Sequence, residues 1–392
     1  MDLRQRRSST FFSFVSVRFA MEVPPPDRQL REILSLAMLP GLGPRTLANL
    51  LERFGTAHGV LSASAAELAS VDGIGPKLIH TLSTATDHVS AEAILDWCQA
   101  NDVRVTCRGS PGYPGLLSDL DDAPPVLFVR GELLPGDQIA VAMVGTRHAT
   151  TYGLKQAQHL AYLLAKAGVT VVSGLARGID AAAHQGAIDA GGRTIAVLGS
   201  GLGQIYPSEH TALAAKVAAA GAVVSEFQPQ ATPRAGMFPQ RNRLIAGLSV
   251  ATLVVEAPDR SGALITARLA MEQNREVLAL PGPVTSRASR GCNQLIRDGA
   301  KLVQTVDDVL SELGPLRSPI TTELGQQIRN PSELTLNSIE QRVLAAIDET
   351  STLIDQVIAS CGLPAQRVIA VISILEMKRL VRRLSGQYVS RI

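Results

Sequence analysis

Aromatic residues make up only 4% of this 392-residue chain, and there are only four cysteines. Cys98, Cys107, Cys292 and Cys361 are widely scattered, with no CxxC pair and no Cys/His cluster. That spacing supports neither a disulfide framework nor a structural zinc site, and fits free thiols in a reducing cytoplasm. Long apolar runs are missing too. None reaches membrane-spanning length, so no membrane partner is expected. Charge of one sign is also lacking. Lys and Arg number 37 against 35 Asp and Glu, a formal net charge of +2, so any nucleic-acid site has to be a local patch. No GxxxxGK[ST] segment occurs, which removes ATP hydrolysis of the P-loop kind. What the chain does have is 46% hydrophobic content and 33 glycines. Its length allows two or three domains, and its plentiful Gly and Ala suit α/β architecture with close helix–sheet packing.

Arg4, Arg6 and Arg7 precede an apolar piece, Phe11 to Val17, in loose imitation of a signal peptide. The piece is short, broken by Ser13 and Ser16, and followed by no small-residue cleavage pattern. Residues 1–27 are therefore expected to be a disordered tail. Met21 offers an alternative start, and Pro24-Pro25-Pro26 closes the segment.

Residues 28–100 contain an internal echo: GLGPRTLANLL from Gly41 and GIGPKLIHTLS from Gly73. Both read Gly-apolar-Gly-Pro-basic and then a helical pattern. The spacing predicts helix, tight glycine turn, helix, with Pro early in the second helix. Such a turn leaves backbone N–H groups unpaired, and these can hold a phosphate oxygen without reading a base. Gly41, Gly43, Arg45, Gly73, Gly75 and Lys77 are the candidates. Two readings stay open: hairpins that touch nucleic acid, or a small helical bundle whose turns merely require glycine.

Residues 101–313 alternate strand and helix signals, which predicts a parallel sheet with crossover helices. Strands are expected at Ile139–Val144, Val169–Ser173, Thr194–Leu198, Ala222–Ser225, Ala251–Val255 and Glu276–Ala279. Two of these end in small, amide-exposing loops that each carry an arginine: Gly145-Thr146-Arg147, and Ser173-Gly174-Leu175-Ala176-Arg177-Gly178. In an extended Rossmann-like sheet both loops lie at the C-terminal strand ends, where ligands bind. Gly145, Arg147, Ser173, Gly174 and Ala176 would then form a phosphate-binding floor. A dinucleotide site is weakly supported. Gly199-Ser200-Gly201-Leu202-Gly203 reads GxGxG rather than GxGxxG, and no acidic residue ends a strand about 20 residues later. The segment from Gln228 to Arg243 reads as a loop and brings Arg234, Arg241 and Arg243 together with Phe238. Cations for phosphates and a ring for bases suit a single strand of nucleic acid.

Ordered through Tyr113 to Lys301 are GTR with YG, SGLARGID with AAH, TIAVLGSGL with YP, FPQRNRLIAGLS, VVEA with SGALITA, ALPG, and GCNQLI with DGA. In these the chain resembles the DNA processing protein A (DprA/Smf) family. The resemblance implies an extended Rossmann fold that binds single-stranded DNA, helps load the recombinase RecA during natural transformation (competence) and recombination, forms homodimers, and needs no cofactor. It also implies a phosphate pocket using Arg147, the amides around Ser173–Ala176, and the cations and aromatic near FPQRNR. Some relatives carry a lysine a few residues before that aromatic. Ala235 stands near that place here, and Arg234 is the nearest cation.

After a polar linker over residues 314–332, residues 333–392 read as three helices and a small hairpin around Ser385-Gly386. This resembles the winged helix that some family members append. Its expected recognition helix, Ala365–Lys378, offers Gln366, Arg367, Lys378 and Arg379 around an apolar middle, so DNA contact and protein contact stay equally open. Two functional classes compete for the whole chain. One is a single-stranded DNA-binding recombination mediator in the cytoplasm, with no chemistry of its own. The other is a nucleotide-processing hydrolase on a related sheet, for which Asp180, Glu226 and Glu256 are the strand-end carboxylates. The catalytic constellation that a hydrolase requires is missing, which favours the mediator.

Overall fold

The computed structural model describes residues 26–84, 90–314, 320–321, 327–384 and 387–392. The expected tail, up to residue 25, and the Ser385-Gly386 turn lie outside them.

Nine strands form the central sheet: β1 (Val103–Cys107), β2 (Val126–Gly131), β3 (Ala140–Gly145), β4 (Thr170–Ser173), β5 (Thr194–Val197), β6 (Gly221–Ser225), β7 (Ala251–Glu256), β8 (Glu276–Ala279) and β9 (Lys301–Leu302). Their spatial order is β1-β2-β6-β5-β4-β3-β7-β8-β9. From β6 to β9 all neighbours are parallel. β2 runs antiparallel to β6, and β1 antiparallel to β2. The chain enters the parallel part at β3, builds outward through β4, β5 and β6, and then returns to β3's other side with β7. The order therefore reverses between β3 and β7, the position at which open α/β sheets place their ligands.

Burial on both faces explains why the central strands β3 to β7 are largely apolar. Along β3, Ala140, Ala142 and Val144 enter one core layer, while Val141 and Met143 enter the other, as alternation in a doubly covered strand requires. Helices Thr151–Lys166 and Ile179–Asp189 cover the second face. Met237–Gly247 and Gly262–Glu272 cover the first. The six strands expected from the sequence are β3 to β8. β1 and β2 escaped it because they pair antiparallel ahead of the alternating region, and β9 because it is two residues long.

The helical unit repeats its turn as the sequence predicts. Gly41 and Gly73 adopt φ of +86° and +83°, a conformation that favours glycine. Gly43 and Gly75 cap helices Pro44–Phe54 and Pro76–Ser83, with Pro in the first turn of each. Leu36, Leu47, Leu50, Leu68 and Leu82 make the unit's own core. Leu34 and Cys98 instead share a core with Val126, Phe128 and Leu198, so the helices are seated on the antiparallel end of the sheet.

C-terminal to the sheet domain in the chain, helices Ser338–Ala345, Ile354–Cys361 and Ala365–Met377 and a three-stranded sheet form a winged helix with a separate core. The expected linker, residues 314–332, is not all spacer. Ile328 is buried in the second core layer, and Leu334, two residues beyond the expected linker, packs against the same layer. Among the described residues no single helix is long and apolar enough to cross a membrane.

Candidate nucleic-acid interface

The loops leaving β3, β4 and β5 converge with the start of helix Met237–Gly247. Together they line a small pocket of Arg147, Gly174, Ala176, Arg177, Tyr206, Pro207, Phe238 and Arg241. Gly145 lets this happen. A Cβ there would stand 2.4 Å from Ile179 Cγ1, so only glycine allows the helix after β4 to press on the end of β3.

Arg147 is exposed and makes no hydrogen bond or ion pair among the described residues. Its guanidinium carbon lies 5.3 Å from the centroid of the Phe238 ring. Tyr206 joins Phe238 from the side, with centroids 5.5 Å apart and planes tilted by 48°. Arg177 stands at the pocket mouth, paired with Glu209 through an Nη2–Oε2 hydrogen bond of 2.8 Å. Arg234 is exposed just ahead of the helix. The sequence thus placed Arg147 and Phe238 together correctly. It also noted Arg177 as the arginine of the second strand-end loop, but it did not single out Tyr206, which sits in the motif YP.

Several expected phosphate contacts have other work. The amides of Gly174 and Ala176 donate to Asp180 Oδ2 at 3.1 and 3.3 Å. The Ser173 hydroxyl donates to the Met143 carbonyl at 2.6 Å. The floor is therefore closed by an internal carboxylate, and the exposed cations of the pocket are Arg147 and Arg177. Asp180 lies in the first turn of helix Ile179–Asp189. Burial pushes its carboxyl up, opposed by Arg241 and by the two amides.

Arg241 is the charge behind this floor. It is buried and donates from Nη1 to the Gly174 carbonyl at 2.6 Å and to the Val197 carbonyl. Its guanidinium fills the space where a Cβ on Gly174 would be, at 2.3 Å. Burial lowers its pKa to about 10, with Asp180 acting the other way. It thus ties together the ends of β4 and β5 and places a positive field under the pocket.

Arg243 does not join the group, which corrects the expectation drawn from a loop. Residues 237–247 are helical, with Pro239 in the first turn, where proline is tolerated. At about 3.6 residues per turn, Arg241 shares a face with Phe238, while Arg243 points roughly 200° away from Arg241. There it donates to Glu226 Oε2 and, at 2.7 Å, to the Asp122 carbonyl. The Arg243 and Glu226 side chains are only 10% and 9% exposed. Burial pushes the Glu226 carboxyl up to about 7, while Arg243 pulls it down.

That ion pair lines a much larger cleft, about 1140 Å³, between the first hairpin and the sheet domain. Asp119, Asp121, Asp122, Glu226 and Glu272 outnumber Arg45, Arg243 and Arg275 on its walls. Gly41, Gly43 and Arg45 face this acidic cleft, whereas Gly73, Gly75 and Lys77 of the second hairpin are exposed to solvent.

The three carboxylates considered for hydrolysis are all engaged. Asp180 and Glu226 are described above, and Glu256 accepts from the Thr150 amide and hydroxyl at 2.8 and 2.7 Å. In the Gly199–Gly203 loop, a Cβ on Gly199 would stand 2.7 Å from Phe238 Cδ1, and one on Gly201 2.1 Å from the Gln228 carbonyl oxygen. Close packing explains these two glycines without a dinucleotide. In the winged helix, Lys378 binds Glu340, and Arg383 binds Ser373 and Glu376. Gln366, Arg367 and Arg379 remain exposed beside Ile369 and Met377.

A Rossmann-like sheet with a cationic, aromatic pocket at its strand ends, a helix-hairpin-helix pair before it and a winged helix behind it defines a class of multidomain DNA-processing protein. The chain belongs to the DNA recombination-mediator protein A family, whose central domain matches residues 104–314. The DprA winged helix domain matches residues 327–387, and the SAM-like helix-hairpin-helix tandem matches residues 33–83. Protein Smf of Synechocystis is 34% identical over 91% of this chain and 98% of its own length. Protein Smf of Escherichia coli is 39% identical over 76% of this chain and 80% of its own. The crystal structure of DNA processing protein A from Streptococcus pneumoniae, 34% identical, covers 71% of this chain and 95% of its own with a TM-score of 0.62.

Proposed function

We propose that the protein binds single-stranded DNA at the strand-end pocket and helps load the recombinase RecA onto it during natural transformation and homologous recombination. It acts as a homodimer in the cytoplasm, without a cofactor or a catalytic step. The observation that carries the DNA reading is Arg147, exposed, without an ion-pair partner among the described residues, and held over Phe238 at the open ends of the parallel strands. A cation beside aromatic rings takes phosphate and base together, with little sequence preference. The pocket is narrow and its Phe238 ring is half-buried, which fits a splayed single strand better than a stacked duplex. RecA loading and dimerisation rest on family membership.

Titrating single strands and blunt duplex across a salt series tests the binding. The single strand is expected to bind more tightly, with a log–log salt slope of roughly −0.7 per phosphate contact. Equal affinity for duplex, or salt-independent binding, contradicts it. Faster RecA filament growth on single strands in the protein's presence is the expected sign of loading, and an unchanged rate contradicts that part.

A further inference from the structure

We infer that Tyr206 and Arg177 form a second nucleotide subsite beside Arg147: the Tyr206 ring receives a base, and Arg177 receives the adjoining phosphate in exchange for Glu209. The inference rests on the single-stranded DNA reading above and assigns within it what each ring and cation does.

A stacked base needs an open aromatic face, and Phe238 offers little. Its ring lies under the Arg147 guanidinium and against the Gly199 backbone, and the residue is half-buried. Tyr206 packs against the same ring at a tilt and is 39% exposed. Phe238 therefore braces Arg147 and Tyr206, and Tyr206 presents the free surface. Stacking of this kind tolerates any base, because every base has a π-face.

Arg177 lines the same pocket. Its partner Glu209 sits on the turn Ser208–His210, directly after the Tyr206-Pro207 pair. The turn is anchored, since His210 Nδ1 lies 2.8 Å from the Leu175 carbonyl in the loop that carries Arg177. Both members of the Arg177–Glu209 pair are about half exposed, at 51% and 50%. An exposed pair of this kind is weak and screened by salt. A DNA phosphate offers Arg177 the same bidentate acceptor geometry as a carboxylate. Glu209 thus occupies the phosphate position in the free protein, and its charge opposes DNA until the phosphate displaces it.

The test compares oligothymidylate with a fully abasic strand of equal length in fluorescence anisotropy titrations. Tyr206→Leu is expected to weaken binding of oligothymidylate about five- to 150-fold, the range for one base on one ring, and to leave the abasic strand within about twofold. Tyr206→Phe keeps a ring and is expected to keep the affinity. Glu209→Gln is expected to tighten both strands, a gain that Arg177→Ala removes. If Tyr206→Leu weakens both strands equally, or neither, the stacking assignment is overturned. If Glu209→Gln weakens binding, the exchange at Arg177 is overturned. Failure of the unaltered protein to bind oligothymidylate at all sinks the underlying reading of the pocket, a different outcome from a binding protein indifferent to Tyr206.

Discussion

The strand-end pocket and the cleft under the first hairpin share one helix, Met237–Gly247, and oppose each other in charge and in use. On the pocket side the helix presents Phe238 and Arg241. The exposed cations of the pocket are open: Arg147 has no carboxylate partner among the described residues, and Arg177 has only an exposed one. On the cleft side it presents Gln240 and Arg243, and Arg243 is consumed by Glu226 and Asp122. The same residue type, two positions apart, thus ties strand ends together beneath the pocket in one case and closes an ion pair in the acidic cleft in the other. What separates them is helix phase and the groups each guanidinium bonds, two strand-end carbonyls for Arg241 and a carboxylate for Arg243, not composition.

Breaking that ion pair is the largest expected effect. Arg243→Ala leaves Glu226 buried without its counter-charge, a loss of about 3–5 kcal/mol by analogy with other broken buried pairs, read from denaturant unfolding. The loss has a pH signature. The folded pKa of Glu226 already stands near 7, above its ordinary 4.5, so the folded state prefers the protonated acid. In the unaltered protein this group's contribution to stability therefore declines as pH rises from about 4.5 to about 7. Without Arg243 the folded pKa rises further, so the variant's deficit is expected to grow as pH rises through about 7. A variant that melts normally and fails to bind DNA would move Arg243 into the interface and erase the contrast.

Arg147→Ala should do the reverse. Its guanidinium touches a ring and solvent, so stability should hold within about 0.5 kcal/mol, the ordinary range for surface changes. Single-strand affinity should fall by about 1.5–3 kcal/mol, the worth of a charge-assisted contact. The salt slope should become shallower by roughly 0.7, the value of one single-strand phosphate contact. Early melting would make Arg147 structural.

Gly145→Ala tests whether the pocket depends on the approach of Ile179. The added Cβ meets Ile179 Cγ1 at 2.4 Å and Cβ at 2.7 Å, and overpacking of this kind costs about 1–3 kcal/mol. Calorimetry should show the loss, and DNA affinity should fall with it because the Arg147 loop must shift. An unchanged melting curve would show that the helix after β4 yields easily.

The smallest expected effect comes from ending the chain after Thr335. The winged helix has its own core, while Ile328 and Leu334 remain to cover the sheet domain. Single-strand affinity should stay within about twofold, since the removed helix adds few free cations. Loss of single-strand binding by a folded truncation would place the main site on the winged helix.

Much of this contrast was legible in the sequence, and one part was not. Strands β3 to β8 showed as apolar runs bounded by glycine loops, because burial on both faces leaves little choice of residue. Arg147 and Phe238 could be brought together because parallel strands deliver their C-terminal loops to one edge. Helix Met237–Gly247 was concealed at its start by Pro239 and by the polar run Gln240–Arg243. Read as a loop, it placed three arginines on one side. Read as a helix, it sends Arg243 to Glu226, a residue that only the fold brings near. The Asp180 carboxylate under the Gly174 and Ala176 amides was equally concealed, since an Asp early in a helix more often caps its own first turn.

Cross-linking measures the central claim most directly. A 5-iodouracil single strand, irradiated in complex with the full chain and mapped by mass spectrometry, is predicted to attach within the peptides that carry Tyr206 and Phe238. Attachment confined to the hairpins around Gly41 and Gly73, or to residues 365–383 of the winged helix, would contradict it.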